Sequence, residues 1–192
     1  DDAAMAPQFE RTIGVPVKYE MLYVGEWKQN LLLADRYGSG RVFLAGDAVH
    51  LVIPTGGLGM NSGVGDAIDL GWKLAATLQG WGGLKLLASY EAERRNIGAR
   101  NVAASRYAWL GRRKWRALWR DLDELVLVAD VEQRKSNEMI GAELGYRYAG
   151  SPIIADEPGG PEDDLLRYVP TTWPGARLPH VWLEDHFPIQ DR

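Results

Sequence analysis

Cysteine is absent from the 192-residue sequence, which excludes disulfide bonds, thiolate catalysis and cysteine-ligated metals. Histidine is scarce: only three are present, and His50, His180 and His186 are not spaced as the ligands of a metal site. No apolar run approaches the roughly 20 residues that a membrane-spanning helix needs. We therefore expect neither a bound metal nor a membrane as partner.

Excess positive charge is also missing, since the formal net charge at pH 7 is -4. A mildly acidic chain gives no reason to expect nucleic acid as a partner. The first ten residues, DDAAMAPQFE, lack an initiator Met and the pattern of a signal peptide, so a cytoplasmic location is the default expectation. The missing Met and the abrupt end of the sequence suggest a piece of a longer protein.

The most informative stretch runs from Arg41 to Leu78. An apolar run predicts a strand over Val42–Ala45, and Gly46-Asp47 ends it. A proline turn and a glycine-rich loop follow over residues 54–61, and a helical period begins near Ser62. Neither a P-loop nor a Gly-x-Ser-x-Gly elbow is present.

The predicted helix would end near Gln79-Gly80 because glycine commonly terminates helices. Its apolar face is predicted to consist of Val64, Ala67, Ile68, Gly71, Ala75 and Leu78. A strand, an acidic turn, a glycine loop and a helix start together suit a polyanionic or electron-accepting cofactor. Glycines allow close backbone approach, and a helix start offers unpaired N–H groups and partial positive charge.

Upstream, two runs rich in β-forming residues predict neighbouring strands, Val17–Val24 and Trp27–Ala34. Tyr19, Tyr23 and Trp27 lie in these runs and are candidates for lining a substrate pocket, although a role as ordinary sheet residues is favoured. We expect an irregular start over residues 1–7.

Downstream, helical spacing predicts a helix over Leu84–Arg95 and further helical tracts over Ile97–Arg120 and Leu122–Leu144. A short strand over Gly145–Tyr148, a loop and an extended linker are expected to complete the chain. Basic residues and tryptophans alternate in the second tract, which includes Arg112, Arg113, Lys114, Arg116, Arg120, Trp109, Trp115 and Trp119. Because acidic residues follow at once, core or interface packing is favoured over nucleic-acid binding.

Two polar residues of the central stretch are open to a functional interpretation. Asp47 is either a turn residue that caps nearby N–H groups or a carboxylate that accepts hydrogen bonds from ligand hydroxyls. His50 is favoured as a hydrogen-bonding residue of the turn over a general base.

The segments GRVFLAGDAVHLVIPTGGLGMNSGVGDAIDLGWKLAATLQGW and LLASYEAERRNIGARNV resemble the second FAD motif and following helices of the flavoprotein aromatic hydroxylases. This class is typified by para-hydroxybenzoate hydroxylase and phenol hydroxylase. The resemblance covers Tyr37 to about Val102. More weakly, PGARLPHVWL resembles the junction into the thioredoxin-like third domain of the phenol-hydroxylase branch.

The resemblance implies a role for each matching residue. Asp47 would accept hydrogen bonds from the FAD ribityl chain, and Gly46 would allow close approach. Pro54 would lie beside the isoalloxazine at its oxygen-reacting edge, as the candidate catalytic residue. The backbone around the pyrimidine end would be that of Gly57, Leu58, Gly59, Met60 and Asn61. NAD(P)H would reduce the flavin, and one oxygen atom of O2 would go to a phenolic ring.

This sequence departs from the family pattern in three ways. Ile53 stands where the family usually has the first of two prolines, and Asn96 stands where a proline usually follows the Arg-Arg pair. The Gly-x-Gly-x-x-Gly that holds the pyrophosphate has no counterpart here. We therefore expect the C-terminal half of an FAD and substrate module.

The predicted fold class is α/β, or an α+β fragment: the C-terminal part of a Rossmann-like FAD-binding domain with substrate-domain strands and a long helical tract. The predicted divisions are the end of the substrate-binding sheet (1–36), the FAD-binding part (37–96), a helical tract (97–150) and a linker (151–192). The function implied is aromatic hydroxylation by a flavin-dependent monooxygenase. The alternative is a catalytically silent scaffold that forms a homodimer or another oligomer through its helical tract.

Overall fold

The structure, a computed structural model, describes residues 2–118, 138–155, 157–184 and 186–191. It is a mixed helix-and-strand arrangement in which two long helices provide most of the regular structure. Helices α1 to α4 are Asp2–Ile13, Leu58–Leu78, Leu84–Leu118 and Ile140–Leu144; strands β1 to β4 are Leu32–Leu33, Gly38–Ser39, Val42–Phe43 and His50–Leu51. Single 3-10 turns span Gly46–Ala48 and Ile189–Asp191. Within these described ranges, no helix has the length and apolar character required to cross a membrane.

The four strands form two small antiparallel pairs. Strand β1 pairs with β4, with Leu33 opposite His50, and β2 pairs with β3 in a hairpin. The strand predicted over Val42–Ala45 is therefore confirmed in its first two residues. Tyr37 extends this hairpin, since its carbonyl accepts a hydrogen bond of 2.9 Å from the N–H of Leu44.

The prediction of two strands over Val17–Val24 and Trp27–Ala34 is wrong for all but Leu32–Leu33. Residues 14–31 have no regular structure. A strand needs a hydrogen-bonded neighbour, and no other described segment pairs with these residues. Their alternating pattern consequently buries nothing: the side chains of Leu22 and Tyr23 are each 85% exposed.

The start of the chain is helical, so the expectation of an irregular start over residues 1–7 is wrong. Helix α1 includes Pro7 and ends with Arg11 in its last turn, where a cation complements the helix dipole. The rings of Phe9 and Tyr19 lie 4.6 Å apart, and the Tyr19 hydroxyl donates a hydrogen bond of 2.9 Å to Glu10. Segment 14–31 is thus held against α1 at this point.

Helix α2 has the predicted end but begins earlier, and the face that it buries is opposite to the predicted one. It begins at Leu58, four residues before the predicted start, and its C-cap residue is Gln79. Its buried residues are Leu58, Ser62, Asp66, Asp69, Lys73 and Ala76. All six residues of the predicted apolar face are exposed instead, among them Val64 and Ile68.

Ion pairs explain why this face is buried, because charged residues of α2 pair with charged residues of α3. The buried Lys73 ammonium donates hydrogen bonds to Asp69, at 2.7 Å, and to Glu93 of α3. The second carboxylate oxygen of Glu93 accepts a hydrogen bond of 2.5 Å from the Ser151 hydroxyl. Turning α2 by half a rotation would remove Lys73 and leave the buried Glu93 carboxylate of α3 without its counter-charge, at a cost of several kcal/mol.

Helix α3 is a single helix of 35 residues, where the sequence predicts a division at residue 96. Asn96 does not interrupt it, because this residue keeps its backbone N–H and its side-chain amide donates to the Ala92 carbonyl at 2.9 Å. The alternating basic and aromatic residues near its end include one stacked pair, with the Arg113 guanidinium 4.8 Å from the centre of the Trp109 ring. Trp119 and most of the predicted Leu122–Leu144 tract lie outside the described residues.

The C-terminal segment, residues 138–191, is mostly irregular and is fastened to α3 by Arg100. The Arg100 guanidinium forms an ion pair of 2.6 Å with Asp163 and donates to the carbonyls of Gly141 and Ala142 at 2.9 and 3.0 Å. The strand predicted over Gly145–Tyr148 is reduced to a bridge between Arg147 and Ala176. One arginine therefore holds both α4 and the following loop.

We predict that Asp69 makes the free energy of unfolding depend on pH. Burial raises the pKa of its carboxyl from an ordinary value of 3.8 to about 6, although Lys73 opposes the shift. The folded state thus binds the proton more tightly than the unfolded state, so stability falls as the pH rises from about 4 to 6. The pKa of Asp66 is lowered, so its effect on the free energy of unfolding falls below this pH range.

Urea denaturation at several pH values tests this, with Asp69→Asn as the variant and the exposed Asp35→Asn as its control. Asp69→Asn should flatten the fall in stability between about pH 4 and 6, and Asp35→Asn should keep it. An unchanged slope in Asp69→Asn would contradict the assignment.

Candidate functional site

Left-handed glycines shape the backbone of the central stretch at two points, at Gly46 and at the pair Gly56-Gly57. Gly46, with φ of 60°, begins the 3-10 turn that carries Asp47, and Gly57, with φ of 67°, is the N-cap residue of α2. Most residues with a Cβ are strained at such angles. Gly57 has no side chain with which to cap α2, so the first N–H groups of the helix stay available to a ligand.

A buried carboxylate, that of Asp66, holds the Gly46 turn against both long helices. Its oxygens accept hydrogen bonds from the backbone N–H of Gly46 at 2.9 Å, from Nε2 of His50 at 2.7 Å and from Nε of Arg94 at 2.8 Å. Asp66, His50 and Arg94 are all buried. The position of the turn is therefore set by one side chain of α2.

The negative charge of Asp66 is balanced by the positive charge of Arg94. Burial alone would raise the pKa of Asp66, but the hydrogen bonds from His50, Arg94 and the Gly46 N–H outweigh burial and lower it. The Arg94 guanidinium also donates to the Ser62 carbonyl at 3.1 Å and to the Tyr148 hydroxyl at 3.2 Å. Asp66 is thus ionised at neutral pH, and Arg94 joins α2, α3 and the C-terminal segment.

A cleft of about 420 Å³ opens beside the turn, within the ~300–1,000 Å³ range of ligand pockets. Two chain segments line it. One contributes Asp47, Leu51, Val52, Pro54, Gly57, Gly59 and Met60; the other contributes Trp27, Lys28 and Asn30.

The cleft brings together five of the eight residues that the sequence assigns to the cofactor: Asp47, Pro54, Gly57, Gly59 and Met60. The Asp47 carboxylate is exposed and has no hydrogen-bond or ion-pair partner among the described residues. It is therefore free to accept hydrogen bonds from a ligand.

The other three residues lie elsewhere. Gly46, the first residue of the turn, is not in the lining of the cleft, and its N–H donates to Asp66. Leu58 is buried in the core with Met139. Asn61 donates a hydrogen bond of 2.9 Å to the Gly57 carbonyl, and lines a second cavity between α2, α3 and α4. Asn61 thus stabilises the backbone at Gly57, where α2 begins.

Of the three candidate substrate residues, only Trp27 lines the cleft. Tyr19 packs on α1, as described above, and Tyr23 extends into solvent. His50 is buried beneath the turn rather than in the cleft, since its Nε2 is bound to Asp66. This contact matches the sequence interpretation of His50 as a hydrogen-bonding residue of the turn.

The sequence alone predicts no role in the site for Asp66, Arg94, Lys28 or Asn30. A signal for Asp66 was present: with Asp69 and Lys73 it forms a charged face at helical spacing, which predicts paired charges when the helix is buried. For Lys28 and Asn30 the sequence offers no such signal, because they lie in an irregular segment.

Comparison with known proteins identifies the family. The model of the FAD binding domain matches residues 3–105, more than half of the chain. The chain belongs to this FAD-binding family. The cleft, the two glycine turns and the Asp66 cluster all lie within the matched residues or contact them, and FAD is the cofactor that the family binds.

Relatives of this FAD-binding chain include flavin-dependent monooxygenases. It is 41% identical to a 4-methyl-5-nitrocatechol 5-monooxygenase from Burkholderia sp, over 91% of this chain and 31% of that protein. It is 37% identical to the FAD-dependent monooxygenase apdD from Emericella nidulans, over 88% and 30% of the two chains. The crystal structure of the flavin-dependent monooxygenase PieE with FAD and substrate aligns with a TM-score of 0.76 at 36% identity, over 96% of this chain and 37% of that one.

These comparisons confirm the resemblance drawn from the sequence. They also show that the chain spans about a third of the length of the relatives it matches. The fold is accordingly part of an FAD-binding module with mixed helices and strands.

The residues of the cleft fit part of an FAD molecule. A free carboxylate at Asp47 suits the hydroxyls of the ribityl chain, and the uncapped start of α2 suits the carbonyl oxygens and the negative charge of a reduced flavin. Apolar side chains at Leu51, Val52 and Met60 suit an aromatic ring.

We predict that Asp66→Asn lowers the free energy of unfolding by about 3 kcal/mol, because it leaves the buried Arg94 guanidinium without its counter-charge. Urea denaturation of the chain without cofactor measures this. Asp47→Asn is the matched control and should change stability by less than about 0.5 kcal/mol, since its carboxylate has no partner. Equal stabilities of the two variants would contradict the role of Asp66.

Proposed function

We propose that this chain forms the flavin-facing part of an FAD-dependent monooxygenase that hydroxylates an aromatic, phenolic substrate with NAD(P)H and O2. One observation supports this most strongly: a single cleft collects the free Asp47 carboxylate, Pro54 and the uncapped start of α2. The family match and the monooxygenase relatives agree with it.

When bound, FAD would accept a hydride from NAD(P)H and activate O2, so that one oxygen atom enters the aromatic ring and the other leaves as water. In this proposal Asp47 holds the ribityl hydroxyls, and Pro54 lies at the reacting edge of the ring. The backbone over Gly57–Asn61 surrounds the pyrimidine end. The sequence resemblance supplies these roles, and the position of Asp47, Pro54, Gly57, Gly59 and Met60 around one cleft supports them.

The chain's own contribution is electrostatic and steric. The start of α2 places partial positive charge at the cleft and stabilises negative charge on a reduced cofactor. Leu51, Val52 and Met60 give the cleft apolar side chains against which a flat ring would pack. Asp66 keeps the Gly46 turn, and with it Asp47, in place without touching the cofactor.

Several features stay predictions. They are the choice of NADH or NADPH, the cytoplasmic location, a homodimer, and the divisions of the chain after residues 36, 96 and 150. The continuous helix α3 crosses the second of these divisions.

We predict that Asp47→Ala weakens FAD binding at least about ten-fold, because a hydrogen bond to a charged group contributes about 1.5–3 kcal/mol. The whole open reading frame that contains this chain should be expressed, and flavin retention measured by absorbance and dialysis. Asp35→Ala, an exposed carboxylate outside the cleft, is the control and should retain FAD.

Unchanged flavin affinity in Asp47→Ala would count against the assignment of this residue. A colourless protein that light scattering shows to be a stable oligomer would favour the scaffold hypothesis. NAD(P)H oxidation coupled to hydroxylation of a phenol tests the complete reaction.

A further inference from the structure

Segment 27–30 gives the cleft a cation that the proposed cofactor contacts do not use. Building on the proposed function, we propose that Lys28 and Trp27 form a specificity site for an aromatic substrate with an ionised group, either a phenolate or a carboxylate. Lys28 would bind the negative charge, and the Trp27 indole would pack on the ring.

Both side chains are placed and available for this contact. Trp27 and Lys28 line the same cleft as Asp47 and Pro54. The Trp27 side chain is 65% exposed, so its ring is largely uncovered by the described chain. An aromatic ring next to an ammonium group matches a ligand that is flat, apolar and negatively charged at one edge.

The Lys28 ammonium has no carboxylate partner among the described residues. Asp47 is the single other charged residue in the lining of this cleft, and in the proposed function it accepts hydrogen bonds from the cofactor. A ligand anion would therefore meet an ammonium group that is not engaged in an ion pair with a described carboxylate. By contrast, the buried Lys73 is neutralised by Asp69 and Glu93.

Lys28 and Asn30 are linked by a local hydrogen bond. The side-chain amide of Asn30 donates a hydrogen bond of 3.2 Å to the Lys28 carbonyl. Both residues line the cleft. The remaining Asn30 side-chain oxygen can accept a hydrogen bond from a substrate hydroxyl.

The position of these residues in the chain favours substrate over cofactor. The elements suited to flavin, namely Asp47, Pro54 and the start of α2, all belong to residues 46–61. Segment 27–30 reaches the cleft from a separate part of the chain. It can therefore vary with the substrate while the cofactor contacts stay the same.

Equilibrium dialysis with a matched pair of probes tests this inference. 2-Naphthoate carries a carboxylate and 2-naphthamide is its neutral counterpart, so the pair differs in charge but not in ring. The proteins are the wild type and Lys28→Met, Lys28→Arg and Lys85→Met, each expressed as the whole open reading frame with FAD added. Lys85 is an exposed lysine on α3 and serves as the control.

We expect the wild type to bind 2-naphthoate more tightly than 2-naphthamide. Lys28→Met should weaken 2-naphthoate binding about five-fold or more and leave 2-naphthamide unchanged, as loss of about 1 kcal/mol from one ion pair implies. Lys28→Arg should retain the preference, and Lys85→Met should behave as the wild type. Raising the salt concentration should weaken 2-naphthoate binding selectively.

The inference is overturned if the wild type shows no preference for 2-naphthoate, or if Lys28→Met weakens both probes equally or neither. It is also overturned if Lys28→Met loses FAD, since Lys28 would then serve the cofactor. Flavin content, measured in the same samples, separates the two proposals: a wild type without flavin that still shows the Lys28-dependent preference would refute the proposed function alone.

Discussion

The buried carboxylate of Asp66 is the contact on which the rest of the site depends. It accepts hydrogen bonds from the Gly46 N–H, His50 and Arg94, and so joins the turn, strand β4 and both long helices at one point. Because the cluster is buried and its charges are matched, the turn has little freedom to move. Asp47, one residue further along, projects from a fixed backbone into the cleft. A site built in this way is organised before a ligand arrives, which lowers the entropic cost of binding.

Pairing of buried charges also decides which face of α2 packs against the core, and for this reason the predicted apolar face is wrong. Apolar spacing predicted that Val64 and Ile68 would face the core, yet both are exposed and Asp66, Asp69 and Lys73 are buried. Periodicity alone does not distinguish an apolar face from a face of paired charges. The partners that make burial of these charges favourable lie on α3: Glu93 is 20 residues from Lys73, and Arg94 is 28 residues from Asp66. Such long-range pairing is not visible in a local window of sequence.

Other features were accessible from the sequence to different degrees. Gly46, Asp47 and the glycine loop were recognisable because left-handed turns and helix starts require particular residues. The family resemblance then supplied the cofactor. By contrast, the upstream strands failed because β-forming composition does not provide a hydrogen-bonded neighbour. Lys28 was overlooked for a related reason: an irregular segment carries no periodic signal, and only the fold places it beside Asp47.

Amide hydrogen exchange measured by NMR tests most directly whether Asp66 fixes the turn. The N–H of Gly46 is bound to the Asp66 carboxylate, whereas those of Gly59 and Met60, at the uncapped start of α2, have no capping partner. In the chain without cofactor, we expect the Gly46 amide to exchange far more slowly than the other two, and Asp66→Asn to remove the difference. Equally fast exchange of Gly46, Gly59 and Met60 in the wild type would contradict it.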